Sequence, residues 1–115
     1  MRVNGLKQEI TDNLANEFIN NQKVLRAIGD ETRQSILLAL IQGSQTPGMR
    51  VGEIKAKTHL SRPAVSHHLK ILKDAQIVSV RKEGTINYYS LNAKSQLKQL
   101  KNLVDQIELL LAQCE

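Results

Sequence analysis

The stretch Leu60–Lys73, LSRPAVSHHLKILK, sorts its side chains onto two faces, and that sorting decides the fold. Ser61 is a good helix N-cap, because its hydroxyl can accept from an orphan amide one turn on. Pro63 follows in the first turn, where a missing N–H costs least. Val65, Leu69 and Leu72 recur at helical spacing and are expected to face a core. Arg62, Ser66, His67, Lys70 and Lys73 fall largely on the opposite side, which carries donors and positive charge but no carboxylate. A helix lying in the major groove of DNA needs such a face, since it meets phosphates at its edges and base acceptors at its centre. A solvated surface helix has the same composition, so the flanking chain must decide between the two.

Upstream, a shorter helix is expected from about Val51 to Lys57, with Ile54 inward. His59 then sits in a tight turn, where a residue at φ > 0 lets the chain reverse and His is among the types enriched. Two short helices joined by three or four residues, the second one basic, form a helix-turn-helix. Downstream of Asp74-Ala75-Gln76 the period changes. IVSVRKEGTINYYSLN, residues 77–92, reads as a β-hairpin turning at Glu83-Gly84, with Arg81 and Lys82 at its tip. A hairpin in that position is the wing of a winged helix.

The ends of the chain are helical in a different way. Leu6, Ile10, Leu14 and Phe18 recur every four residues, and Leu25 and Ile28 continue an apolar pattern over 6–28. Asn20-Asn21 marks a break and Gly29 a stop. Asp30 caps DETRQSILLALIQ, whose buried positions are expected to be Thr32, Ile36, Leu37 and Leu40, with Gly43 ending it. GSQTPG is a loop by composition. In the last helix, about Ala93 to Cys114, Leu97, Leu100, Val104, Ile107, Leu111 and Cys114 step by three and four, a heptad seam that Leu103, Leu109 and Leu110 widen. So apolar a terminal helix reads as a dimer interface formed with Leu6, Ile10 and Leu14 of the N-terminal helix. The alternative is that it packs only on its own domain. The fold expected is therefore mainly α with a small β-hairpin wing, an α+β winged helix-turn-helix. It would be one domain over 1–115, with dimerisation helices at 1–28 and 93–115 and the helix-turn-helix and wing at 50–92.

Charge is distributed to match. Between Arg50 and Glu83 lie eight Lys or Arg and three acids, which account for the whole net charge of +5; the rest of the chain is balanced. Segregation of this kind is the footprint of nucleic-acid binding. Aromatic content is 3%, with no Trp, which argues against stacking platforms for single strands or RNA and favours duplex DNA. There is no apolar run long enough to span a bilayer and no apolar signal-peptide segment, so a cytoplasmic location is expected. The single cysteine, Cys114, excludes an internal disulfide or a multi-Cys zinc site within one chain. With Gln113 and Glu115 beside it, it reads as packing in the seam rather than a redox switch.

Three segments together resemble the ArsR/SmtB family of small bacterial winged-helix repressors: Leu25–Leu40 (LRAIGDETRQSILLAL), Val51–Leu72 (VGEIKAKTHLSRPAVSHHLKIL) and Ile77–Leu91 (IVSVRKEGTINYYSL). The Ser-Xaa-His-Leu element at Ser66–Leu69 is the most specific piece. The resemblance implies a homodimer that binds an inverted-repeat operator, represses transcription and lets go when a signal arrives. It also implies DNA contacts from Arg62, Ser66 and His67, with wing residues on the backbone. Glu31 stands where the family often has Pro, and His59 where it often has Gly. Metal-sensing members place cysteines where this chain reads Met49-Arg50-Val51-Gly52-Glu53. Others use Asp and His pairs on the last helix, which here has Asp105 and Glu108 but no His.

The DNA-binding residues expected are thus Arg62, Pro63, Ser66, His67, Lys70 and Lys73, with Arg81 and Lys82 from the wing. No cofactor and no metal site is expected. His59, His67 and His68 do not converge as zinc requires; His67 should face DNA while His68 packs beside the turn. The inducer is left open as a non-metal signal. A metal-responsive repressor and a winged-helix module that binds protein instead of DNA remain the alternatives. The sequence carries no nucleophile–base pair, phosphate-cradling Gly loop or paired carboxylates by a cleft, so an enzyme is not expected.

Overall fold

A computed structural model of the chain describes residues 2–92 and 97–113. It contains α1 (Arg2–Asn20), α2 (Gln22–Ile28), α3 (Glu31–Gln42), α4 (Val51–Thr58), α5 (Arg62–Asp74), β1 (Val78–Glu83), β2 (Ile86–Leu91) and α6 (Leu97–Gln113). These form two compact units, Met1–Gln22 with Gln96–Glu115, and Lys23–Ser95. No helix of the described residues is long and apolar enough to cross a membrane.

The second unit is the winged helix. α3 starts where Asp30 accepts a hydrogen bond from the Arg33 amide (2.9 Å), and that contact holds the Asp30 carboxyl below its usual range. α4 and α5 reverse around His59, which adopts φ 59°, ψ 21° as the turn demanded. α5 begins with the Ser61 hydroxyl accepting from the Ala64 amide (3.2 Å), and Pro63 lies in its first turn. The core is built from Ile36 and Leu40 of α3, Ile54 of α4, Val65, Leu69 and Leu72 of α5, and Ile77 and Val78 leading into the wing, all at most 2% exposed.

The exit from α5 sets the wing. Gln76 takes a left-handed φ of 61°; its N–H donates to Lys73 O and the Ile77 N–H to Leu72 O (2.9 and 3.0 Å). This is the Schellman arrangement, and the apolar contact that accompanies it falls to the buried pair Leu72 and Ile77. β1 then pairs antiparallel with β2, from Val78↔Leu91 to Glu83↔Ile86. The two-residue loop is Gly84-Thr85, one position later than the Glu83-Gly84 turn expected. Glu83 completes the ladder, and Gly84 at φ 60° supplies the left-handed first position such a loop needs. Met49 adds a one-residue bridge to Tyr89, with both hydrogen bonds at 2.8 Å. The preceding Gly48 sits at φ 105°, and a Cβ there would lie 2.7 Å from Tyr89 O.

In the first unit α1 packs against α6, burying Ile10 and Leu103. The break between α1 and α2 falls at Asn21, whose N–H and Nδ2 both donate to Glu17 O (3.0 and 2.7 Å). In α2, Val24 and Ala27 are buried while Leu25 and Ile28 are only half-buried. Two other expectations shift. In α3 the small Ala39 joins Ile36 and Leu40 in the core, whereas Thr32 and Leu37 sit at its margin, half-buried. α1 starts at Arg2, four residues before the apolar repeat at Leu6. The expected helix start at Ala93 and the last seam residue, Cys114, lie outside the described residues.

The left-handed Gln76 gives a direct test of the Schellman exit. A non-glycine residue there costs roughly 1–2 kcal/mol, so Gln76→Gly is expected to stabilise the protein by about 1 kcal/mol in denaturant unfolding. A loss of stability would contradict the geometry described.

Candidate nucleic-acid interface

The inner face of α5 is closed. Val65, Leu69 and Leu72 are wholly buried, and this fixes which residues point away. Arg62, Pro63, Ser66, His67, Lys70 and Lys73 are all exposed. None of them forms an ion pair among the described residues, so the face keeps its positive charge and its free donors. Such a surface, with cations at the flanks and a hydroxyl and an imidazole between, can meet phosphates and base edges together.

His68 lies off that face. It is half-buried, and its Nδ1 is 3.2 Å from Nη1 of Arg33 on α3. Burial, and then the Arg33 charge, hold His68 below its ordinary pKa, although Asp30 pulls the other way. The His67 and His68 rings meet edge-on with centroids 5.2 Å apart.

On the wing, Arg81 and Lys82 are exposed but not equivalent. The Arg81 guanidinium is 2.8 Å from Glu83 Oε1 and lies over the Tyr88 ring at 5.5 Å, while Lys82 has no ion pair among the described residues. The two neighbouring cations, on opposite faces of the strand, thus differ: Arg81 is held against the hairpin and Lys82 is not.

Two residues the sequence reading passed over belong beside this face. Arg50, just before α4, pairs with Glu53 (3.1 Å), and Glu53 also accepts from the Arg50 N–H (3.2 Å). Arg50 therefore holds the Glu53 carboxyl below its usual range and anchors the start of the helix-turn-helix. A cleft of about 600 Å³ opens between this first turn of α4, Arg62 of α5 and Ile86 and Asn87 of the wing. Gly52 floors it: a Cβ there would be 3.4 Å from Arg62 Nη2. Arg50 belongs to the basic segment, and its place three residues before Glu53, the spacing of a capping contact, is the sequence signal for this role. Nothing in the sequence pattern marks Asn87.

Of the eight residues expected in the terminal seam, Ile10 is closed inside its own unit and Leu14, Leu100 and Ile107 are half-buried. Leu6, Leu97, Val104 and Leu111 are exposed, the last three at 44, 46 and 61%.

A two-helix reading unit with a basic outer face, followed by a two-stranded wing, defines a winged helix-turn-helix transcription regulator. The sequence places the chain further. Residues 30–80 match the family described as bacterial regulatory protein, arsR family. The transcriptional repressor SdpR of Bacillus subtilis is 44% identical over 69 residues, 60% of this chain and 72% of the relative. An uncharacterised HTH-type transcriptional regulator of Methanocaldococcus jannaschii is 40% identical over 86 residues, covering 74% of this chain and 91% of the relative. Among solved structures, a possible transcriptional regulator for arsenical resistance aligns with TM-score 0.60 and 32% identity over 72% of this chain and 81% of that one. The chain belongs to the arsR family of bacterial transcription regulators.

Proposed function

We propose that this protein is a homodimeric repressor that binds operator DNA through α5 and the wing and is released by a signal other than a metal. The observation that carries the reading is the outward face of α5: Arg62, Ser66, His67, Lys70 and Lys73 are exposed and unpaired by carboxylates, while the opposite face is locked in the core. Arg62, Pro63, Ser66 and His67 occupy the first half of the helix, the part that reaches base edges when such a helix enters the major groove. Lys70, Lys73, Arg81 and Lys82 then serve the phosphates. A repressor of this kind works in the cytoplasm, on the chromosome.

Dimerisation is supported by the stripe of Leu97, Val104 and Leu111, spaced one heptad apart and open along α6. Leu6 adds a further exposed apolar side chain in the same unit. The non-metal signal rests on the sequence: residues 49–53 hold no cysteine and the last helix no histidine, where metal-sensing members of the family place their ligands.

Three measurements test these statements. The protein should select a duplex from a random-sequence pool, and its affinity should fall steeply with salt. About 6–10 phosphate contacts for two subunits correspond to a loss on the order of 10³–10⁵ between about 50 and 200 mM. Arg62→Ala is expected to cost about 1–3 kcal/mol on the selected duplex. No selected duplex and a flat salt response would favour a protein-binding module.

In ultracentrifugation, Val104→Asp with Leu111→Asp should give folded monomers, since neither side chain is buried in one chain. A folded dimer after that change refutes the interface. Calorimetry of the metal-free protein with zinc, nickel, copper and cadmium should show no stoichiometric sub-micromolar site that releases DNA; such a site would establish the metal-responsive alternative.

A further inference from the structure

The Arg33 side chain reaches three partners beside the DNA-reading helix. Its Nε donates to Ala27 O (2.7 Å) and its Nη2 to Arg26 O (2.9 Å), two carbonyls at the end of α2 that have no helical partner of their own. Its Nη1 faces Nδ1 of His68 at 3.2 Å. A guanidinium has donors and no acceptor, so the contact is a hydrogen bond only if His68 Nδ1 is the acceptor. The ring is then neutral and carries its proton on Nε2. One side chain of α3 thereby ties α2 to α5.

We propose that Arg33 is a positioning residue for the DNA-reading helix: it braces α5 through His68, and duplex DNA is bound well only while the His68 imidazole is neutral. The proposal rests on the DNA-binding reading above and adds the residue pair that sets the helix in place. A proton on Nδ1 would turn the acceptor into a donor aimed at a cation. Arg33 cannot swing aside without orphaning Ala27 O and Arg26 O, so the adjustment falls on His68. His68 is the sequence neighbour of His67 and meets its ring edge-on, so a shift of His68 carries the outward-facing imidazole with it.

The charged and titratable groups that bear on His68 are Asp30, which stabilises its protonated form, and Arg33 and His67, which oppose it; burial opposes it most. Because the folded chain disfavours the proton, the contribution of this pair to folding is complete above the ordinary imidazole value of about 6.5 and declines as pH falls below it. Comparing the protein with a variant at position 68 alone isolates the contribution of this ring.

The test uses the full chain and a duplex recovered from a random-sequence pool by repeated selection near pH 7.5. In His68→Asn the amide oxygen occupies the place of Nδ1 and can still accept from Arg33 but does not titrate. The two proteins should bind that duplex within about threefold of each other near pH 7.5. As pH is lowered to about 5.5 the unmodified protein should weaken at least about twofold relative to the variant, the comparison cancelling every response the two proteins share. An affinity ratio that does not change with pH overturns the proposal.

A second reading needs no variant and no DNA. The ¹⁵N shifts of His68 in the unmodified protein near pH 7.5 should report an Nε2–H tautomer, and an Nδ1–H tautomer overturns the brace outright. If no duplex can be selected, the DNA-binding reading fails, and the tautomer still decides whether the brace exists.

Discussion

Val65, Leu69 and Leu72 are all driven fully out of water, and the orientation of α5 follows from that burial. Each such side chain is worth roughly 1.5–3 kcal/mol of transfer free energy. Together they fix the rotation of the helix about its axis, because a turn in either direction would expose one of them and bury a cation. The reading face is therefore not specified by its own contacts. Arg62, Ser66, His67, Lys70 and Lys73 are exposed because the opposite face has no alternative. That face makes no ion pair among the described residues, and its geometry is enforced from behind.

The ends of the helices do the remaining placement. Ser61 stops the chain from entering α5 early, and His59 in the left-handed region reverses it out of α4. At the far end Gln76 takes the same left-handed conformation, which costs more for glutamine than for glycine. The buried pair Leu72 and Ile77 offsets that cost and directs the chain straight into β1. One device thus links the orientation of α5 to the start of the wing. Arg33 supplies the third constraint, from the side, through a polar contact that apolar packing could not replace without leaving two carbonyls bare.

Much of this is legible in the sequence because it is local. The spacing of Val65, Leu69 and Leu72, the N-caps Asp30 and Ser61, the reversal at His59 and the change of period after Gln76 each depend on a few neighbouring residues. The features that escape the pattern are those decided by partners far along the chain. Arg33 and His68 are thirty-five positions apart, and neither carries a mark of the other. Ala39 is buried because a small residue fits where α3 meets its neighbours, not because it is apolar. The hairpin loop sits one residue later than its composition suggests, since ladder pairing keeps Glu83 opposite Ile86. In the seam, spacing shows that α6 is apolar over a wide arc. Only packing against α1 shows which part of the arc is used within one chain, leaving Leu97, Val104 and Leu111 open.

That open stripe and the basic face of α5 are the two surfaces of the protein whose chemistry is complete only with a partner. In the function proposed, the first meets a second copy of the chain and the second meets a duplex. The most direct test of the account is the crystal structure of the protein bound to a selected duplex. It should place the N-terminal half of α5 in the major groove, with Ser66 or His67 within hydrogen-bond reach of a base edge and Lys82 beside the backbone. A complex in which α5 faces solvent, or in which the duplex is held by any other surface, would contradict it.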